Sequence, residues 1–197
     1  MDGITWETYQ QDLDVRLTNL HQRIHKGSYR PRPARRIFIP KADGSERPLS
    51  ILCLEDKIVQ QAVVKILEGI YETDFLGFSY GFRSGRSQHD AMDALVVGIK
   101  RRSINWVLDL DVRKFFDQVD HDWLIRFIEH RVKDKRIIRL IIQWIRIGHY
   151  DEDGRRVQSL AGVPQGQSYR LCYQISTCTT YSICGFINGV KGKRTAR

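Results

Sequence analysis

The chain has 197 residues, 42% of them hydrophobic and 28% charged, which is typical of one or two small globular domains. It contains no apolar run of 18 residues and no secretory signal at its start, so we expect no membrane partner and a cytoplasmic location. Lys and Arg outnumber Asp and Glu by 32 to 23, a net charge of +9 that favours a polyanionic partner such as nucleic acid. A merely basic surface is the alternative that composition leaves open.

Hydrophobic spacing and turn residues predict an α+β fold. Thr5 is a candidate N-cap, Gly27 a candidate helix end, and the Asp-Gly dipeptides at 43–44 and 153–154 are candidate turns. In chain order, the predicted elements are a helix over 6–24, a hairpin over 36–51, a helix over 55–71, an aromatic loop over 75–85, a helix over 88–100, a strand over 105–111, helices over 120–132 and 136–147, and a second hairpin over 148–160.

The acidic stretch 107–122 is the most informative one for chemistry. Its predicted strand ends at Asp111, where carboxylates at the rim of a sheet offer the hard oxygen ligands that suit Mg²⁺. The alternative is that these acids are solvated or cap the following helix, which is the better interpretation for Asp117, Asp120 and Asp122. For Asp111 both interpretations stay open.

Two other features fit a nucleotide site. Lys41 and Arg47 flank the tight first hairpin, where two cations suit a triphosphate, although hairpin cations are often only solvated. Residues 162–166 read Gly-Val-Pro-Gln-Gly, which sets a side-chain amide between glycines; alone, this is an ordinary loop.

Over residues 1–166 these pieces, in this order, resemble the reverse transcriptase domain of group II intron-encoded proteins. The segments that carry the resemblance are Asp2–Thr5, Tyr29–Pro33, Ile39–Lys41, Arg47–Leu49, Glu55–Gln60, Ser79–Ser87, the motif A stretch Asp111–Asp122 and the motif B stretch Gly162–Gly166. Each segment is weak by itself, but their shared order is specific to the group II class. The resemblance implies an RNA-directed DNA polymerase with a fingers region over 1–104 and a partial palm over 105–166.

The resemblance also implies roles for individual residues. Asp111 would be catalytic and, with the Val112 carbonyl, would bind Mg²⁺. The residues implied to bind the incoming deoxynucleoside triphosphate are Lys41 and Arg47 at the triphosphate, Phe116 under the sugar and Gln165 near the nascent base pair. The arginines implied to follow template or intron RNA, opposite a DNA primer, are Arg30, Arg32, Arg35, Arg36, Arg83 and Arg86.

The chain departs from the family pattern at its ends. It contains no Tyr-x-Asp-Asp turn, which in the family supplies two further metal-binding aspartates. Read one base out of frame, residues 171–185 can encode the missing family block, so we expect a chain truncated at both ends whose residues 167–197 form a poorly ordered, out-of-frame tail. We therefore expect no polymerisation by this chain alone. The alternatives are a non-catalytic RNA-binding remnant and an inert pseudogene product.

Overall fold

The computed structural model describes residues 3–42, 44–101, 104, 106, 109, 118–159 and 161–163. Most of the strand predicted over 105–111, and the whole tail over 167–197, lie outside the described residues. Within the described part, no helix combines the length and apolar character needed to cross a membrane.

The described residues form helices and one small four-stranded sheet, which confirms the predicted α+β class. The helices are α1 (Trp6–Gln10), α2 (Leu13–His25), α3 (Leu54–Tyr71), α4 (Gln88–Arg101), α5 (His121–Arg131) and α6 (Lys135–Arg146). The strands are β1 (Ala34–Pro40), β2 (Glu46–Ile51), β3 (His149–Tyr150) and β4 (Arg156–Val157).

The helix predicted over 6–24 is two helices in the structure. Thr5 caps α1 as predicted, in a capping box where the Thr8 hydroxyl accepts the Thr5 N–H at 3.1 Å. The backbone then leaves the helical region at Asp12 (φ −122°, ψ 39°), a residue type whose short carboxylate competes with helical hydrogen bonds. One continuous helix was therefore the wrong prediction, whereas Gly27, at φ +67°, follows the end of α2 as expected.

The sheet has the strand order β2-β1-β3-β4. Antiparallel pairing of β1 with β2 confirms the first predicted hairpin, and antiparallel pairing of β3 with β4 confirms the second. The central pair is parallel and joins Ala34 to His149, two residues far apart in sequence. This pair sets the edge of the hairpin against the chain that follows α6.

The core lies where α3 meets α5 and α6. The buried apolar residues of these helices are Val59, Val63, Val64, Leu67 and Tyr71 on α3, Leu124 and Ile128 on α5, and Ile141, Trp144 and Ile145 on α6. Ile66 of α3 lies outside this core, and its side chain is 48% exposed. Ile58 and Ile70 are partly buried and pack against the core.

Helix α4 is formed by local interactions. It has no buried residue, and Met92, Leu95 and Val96 are exposed on it. Its start is fixed by a capping box, because the Ser87 N–H donates to Asp90 Oδ2 at 2.8 Å and the Asp90 N–H donates to the Ser87 hydroxyl at 3.1 Å.

Gly148, immediately before β3, lies very close to the backbone of β4. Its φ is +78°, and a Cβ added there would lie 2.1 Å from the Val157 carbonyl oxygen, so Gly148→Ala must move the β4 backbone. We expect this substitution to lower the free energy of unfolding by about 3–5 kcal/mol, measured by urea denaturation.

Gly154→Ala is the matched control, because Gly154 also has positive φ (+74°) but has no atom near an added Cβ. It should cost only about 1–2 kcal/mol. Equal losses for the two variants would contradict the close backbone contact.

Candidate nucleic-acid interface

The basic segment, defined as residues 28–36, is hydrogen-bonded to the first turn of α3. In the last turn of α2, Arg23 donates from one guanidinium nitrogen to both oxygens of Glu55, each at 2.7 Å. The Tyr29 hydroxyl donates to Asp56 Oδ1, and the backbone N–H of Arg32 donates to Asp56 Oδ2 at 3.1 Å. Acidic residues suit a helix N-terminus and basic residues a helix C-terminus, so both helix dipoles favour this pairing.

Burial determines the protonation of the Tyr29–Asp56 pair. It is the main cause that raises the pKa of the Tyr29 hydroxyl, followed by the hydrogen bond to Asp56, so the phenol stays protonated and donates. Burial also raises the pKa of the Asp56 carboxyl, against the lowering effect of its hydrogen bonds from Tyr29 and the Arg32 amide. The carboxylate is thus stabilised by partners that belong to the basic segment.

The arginine side chains of the basic segment are mostly turned to solvent. Arg30, Arg32 and Arg35 are exposed, and the Arg30 guanidinium donates to the carbonyls of Gly27 and Tyr29 at 2.8 Å each. Arg36 is half-buried, and its charge, after burial itself, lowers the pKa of His149. The outer face of this segment is therefore cationic. Its backbone is held by Asp56 in the first turn of α3.

The hairpin brings the two predicted triphosphate ligands to one face. Arg47 pairs with Ile39 across the hairpin, and the Lys41 N–H donates to the Ser45 carbonyl at 2.8 Å. Alternate residues of a strand share a face, so Lys41 lies on the same face as Ile39 and is a diagonal neighbour of Arg47. Both side chains are exposed.

Arg83, a predicted RNA contact, makes internal contacts in the structure. Its side chain is 6% exposed and pairs with Glu72 at 2.5 Å. It also donates to the carbonyls of Leu76 and Ser79 at 3.0 and 2.8 Å. These donors are engaged inside the chain, and the RNA contact of Arg83 stays a prediction.

Arg86, three residues further on, is exposed. Its guanidinium carbon lies 5.4 Å from the centre of the Tyr80 ring, a cation–π contact that orients the charge without covering it. The two arginines of one sequence motif therefore differ in function: Arg83 holds the aromatic loop together, and Arg86 remains a candidate for RNA.

Two hydrogen bonds connect the end of the predicted motif A stretch with the start of the predicted motif B stretch. The Gly162 N–H donates to the Val119 carbonyl at 2.8 Å, and His121 Nε2 donates to the Gly162 carbonyl at 2.6 Å. His121 is buried and connects the start of α5 to Gly162. Asp120 is an N-cap whose carboxylate accepts the N–H of Trp123 at 2.9 Å, which confirms the capping interpretation there.

Asp111, Val112, Phe116 and Gln165 lie outside the described residues, so their predicted roles stay predictions. Among the residues that are described, no group of three His, Cys, Asp or Glu side chains could hold a metal ion.

Sequence reasoning missed the Tyr29–Asp56 contact. One signal was present: Asp56, Val59, Gln60 and Val63 follow helical spacing, and all four are buried in the structure. An acid on the apolar face of a helix requires a partner, and the nearby basic segment contains the tyrosine that provides it.

Comparisons with known proteins agree with this picture. Residues 39–169 match the family described as "Reverse transcriptase (RNA-dependent DNA polymerase)". Protein YkfC of Escherichia coli K12 is 38% identical over 169 residues, covering 84% of this chain and 44% of its own. The group II intron-encoded protein LtrA of Lactococcus lactis is 35% identical, covering 83% of this chain and 27% of its own. The putative COX1/OXI3 intron 1 protein of Saccharomyces cerevisiae is 32% identical, covering 94% and 22%. The chain therefore spans less than half the length of each of these relatives.

Arg83→Met and Arg86→Met form a matched pair that separates the two arginine roles. Arg83→Met keeps the aliphatic stem but removes the guanidinium donor from Glu72 and from the Ser79 carbonyl, and leaves the Leu76 carbonyl only the Ser79 N–H, so the free energy of unfolding should fall by about 2–3 kcal/mol. Arg86→Met should change it by no more than about 0.5 kcal/mol. Urea denaturation checks both values, and the reverse order would contradict the assignment.

Proposed function

The chain belongs to the reverse transcriptase (RNA-dependent DNA polymerase) family, and on that premise we propose that it supplies the fingers and the first part of the palm of a group II intron-type enzyme. In the whole enzyme the reaction is RNA-templated DNA synthesis, in which the 3′-hydroxyl of a DNA primer attacks the α-phosphate of a deoxynucleoside triphosphate. This chain contributes the surface that binds RNA and part of the nucleotide site.

One observation carries the proposal: the basic segment exposes Arg30, Arg32 and Arg35 while the buried acid Asp56 holds its backbone. A surface of fixed guanidinium groups binds a phosphate backbone through charge and shape, which is how structured RNA is recognised. Residues 1–166 contain 27 Lys and Arg against 23 Asp and Glu, and this basic excess of +4 supports a polyanionic partner.

The nucleotide site extends from the hairpin to the segments around motifs A and B. Lys41 and Arg47 share one hairpin face, an arrangement that suits two contacts to a triphosphate. We assign Phe116 to the sugar, where a ring excludes a 2′-hydroxyl, and Gln165 to the nascent base pair. The two hydrogen bonds of Gly162 with Val119 and His121 support this assignment, because they tie together the chain on both sides of the site.

Asp111 and the Val112 carbonyl are the proposed Mg²⁺ ligands in this chain. A carboxylate and a carbonyl are hard oxygen donors, so the donor set fits this ion. When bound, Mg²⁺ lowers the cost of developing negative charge on the phosphoryl oxygens. The 197 residues contain no Tyr-x-Asp-Asp, so the two further carboxylates of the family site are not supplied within them.

The division into fingers (1–104), partial palm (105–166) and out-of-frame tail (167–197) is also proposed. The family match supports it by ending at residue 169, whereas the yeast relative, which covers 94% of the chain, aligns with part of the tail. Sequencing the gene tests the frameshift. A shifted reading frame that encodes neither the missing family block, which begins Ser-Pro-Leu-Leu, nor a downstream Tyr-Ala-Asp-Asp would exclude it.

The purified chain should bind structured RNA with strong salt dependence and give no product in primer extension on an RNA template. Arg30→Gln and Arg35→Gln should each reduce the slope of log K against log salt concentration by about 0.7–0.9. Arg136→Gln is the control, because that exposed guanidinium is already engaged by the Asp134 carboxylate at 2.8 Å; the slope of this variant should stay unchanged.

Salt-independent binding, or none, would contradict the RNA surface. Robust DNA synthesis by the 197-residue chain would instead contradict the proposal that this chain alone is inactive. It would also show that catalysis does not require carboxylates from outside these residues.

A further inference from the structure

Between α3 and α4 the aromatic loop makes consecutive turns. The first is closed by the Ser79 N–H, which donates to the Leu76 carbonyl at 2.9 Å, and the last by the Arg86 N–H, which donates to the Arg83 carbonyl at 3.3 Å. A turn at Gly81 and Phe82 lies between them. The loop is therefore a folded structure with a fixed shape rather than an extended linker.

The base of the loop is attached to the rest of the protein. Phe75 packs against the core, and the Arg83 guanidinium carbon lies 4.7 Å from the centre of its ring. Next to this contact, Asp74 pairs with Arg131 of α5 at 2.7 Å. The aromatic side chains beyond this base are thus presented from a rigid support.

The tip of the loop exposes two phenylalanines. Phe78 is 72% exposed and Phe82 is 49% exposed. Phe82 also has a φ of +55°, a left-handed conformation that aromatic residues rarely adopt. A left-handed backbone that leaves about half of a large ring in solvent is a local strain of the kind that clusters at binding sites.

A cation lies on the same loop. The exposed Arg86 is oriented by its contact with Tyr80, as described above. Aromatic rings combined with a guanidinium group are the chemistry that binds unpaired nucleotides, because bases stack on rings and the phosphates pair with the cation. Paired bases are covered by their neighbours in a duplex and offer no free face to a ring.

We propose that the aromatic loop binds unpaired nucleotides of an RNA, with Phe78 and Phe82 stacking on bases and Arg86 contacting the backbone. The inference rests on the proposed RNA-binding function and names the part of the RNA that this loop binds. A protein partner on the same rings is the competing outcome, and RNA binding distinguishes it.

The test uses the full 197-residue chain and two probes, a blunt RNA duplex and the same duplex with a single-stranded overhang. Phe78→Ala and Phe82→Asn should each weaken binding of the overhang probe by about 5- to 150-fold and leave the blunt duplex unchanged. Phe78→Tyr keeps a ring that can stack on a base, so this variant should bind the overhang probe with wild-type affinity. The salt dependence should stay the same in all three variants, because no charge changes.

Two controls separate stacking from folding. Asn tolerates positive φ, so Phe82→Asn should melt no lower than the wild type while losing the overhang preference. Phe38→Ala removes a ring that is 42% exposed on the hairpin face opposite Lys41, and it should not change the preference.

Equal weakening on both probes, or undiminished binding of the overhang, would overturn this inference and leave the RNA-binding function standing. A wild-type chain that binds neither probe would overturn both.

Discussion

The buried carboxylate of Asp56 is the interaction on which the basic surface depends. It lies in the first turn of α3 and takes hydrogen bonds from Tyr29 and from the Arg32 backbone, so it connects the core helix to the segment that carries the exposed arginines. Because like charges repel, the four arginines of this segment need an anchor. The hydrogen bonds to Asp56 act together with the buried side chains of Tyr29 and Ala34 and with the strand pairing of residues 34–36. The ion pair of Glu55 with Arg23 fixes the preceding helix to the same turn.

The same division of charge recurs in the aromatic loop. Glu72 engages the buried Arg83, whereas Arg86, three residues away, keeps its charge at the surface. In both places an acidic side chain engages a group of the segment beside it, and the neighbouring arginines are left exposed. The exposed arginines of these two segments therefore stand on backbone that internal contacts hold, which is the arrangement a protein needs to bind an RNA of defined shape.

Local signals in the sequence predicted most elements but not how they pack. The hairpin, the end of α2 at Gly27 and the cap at Asp120 each depend on a few neighbouring residues, and the structure confirms them. The parallel pair of β1 with β3 joins residues distant in sequence, so no local pattern could identify it. For the Tyr29–Asp56 contact, helical spacing indicates that Asp56 is buried but not which residue is its partner. The internal contacts of Arg83 were not predicted for the same reason: an arginine in a basic motif looks alike whether its partner is an RNA phosphate or Glu72.

A double-mutant cycle on Tyr29 and Asp56 tests the central claim most directly. Tyr29→Phe leaves a buried carboxylate short of a donor, and Asp56→Ala leaves a buried hydroxyl without its acceptor, while the double variant removes both groups. The free energy of unfolding should therefore fall by about 1–3 kcal/mol less in the double variant than the two single losses together. Single losses that add to within about 0.5 kcal/mol would show that this contact does not hold the basic segment in place.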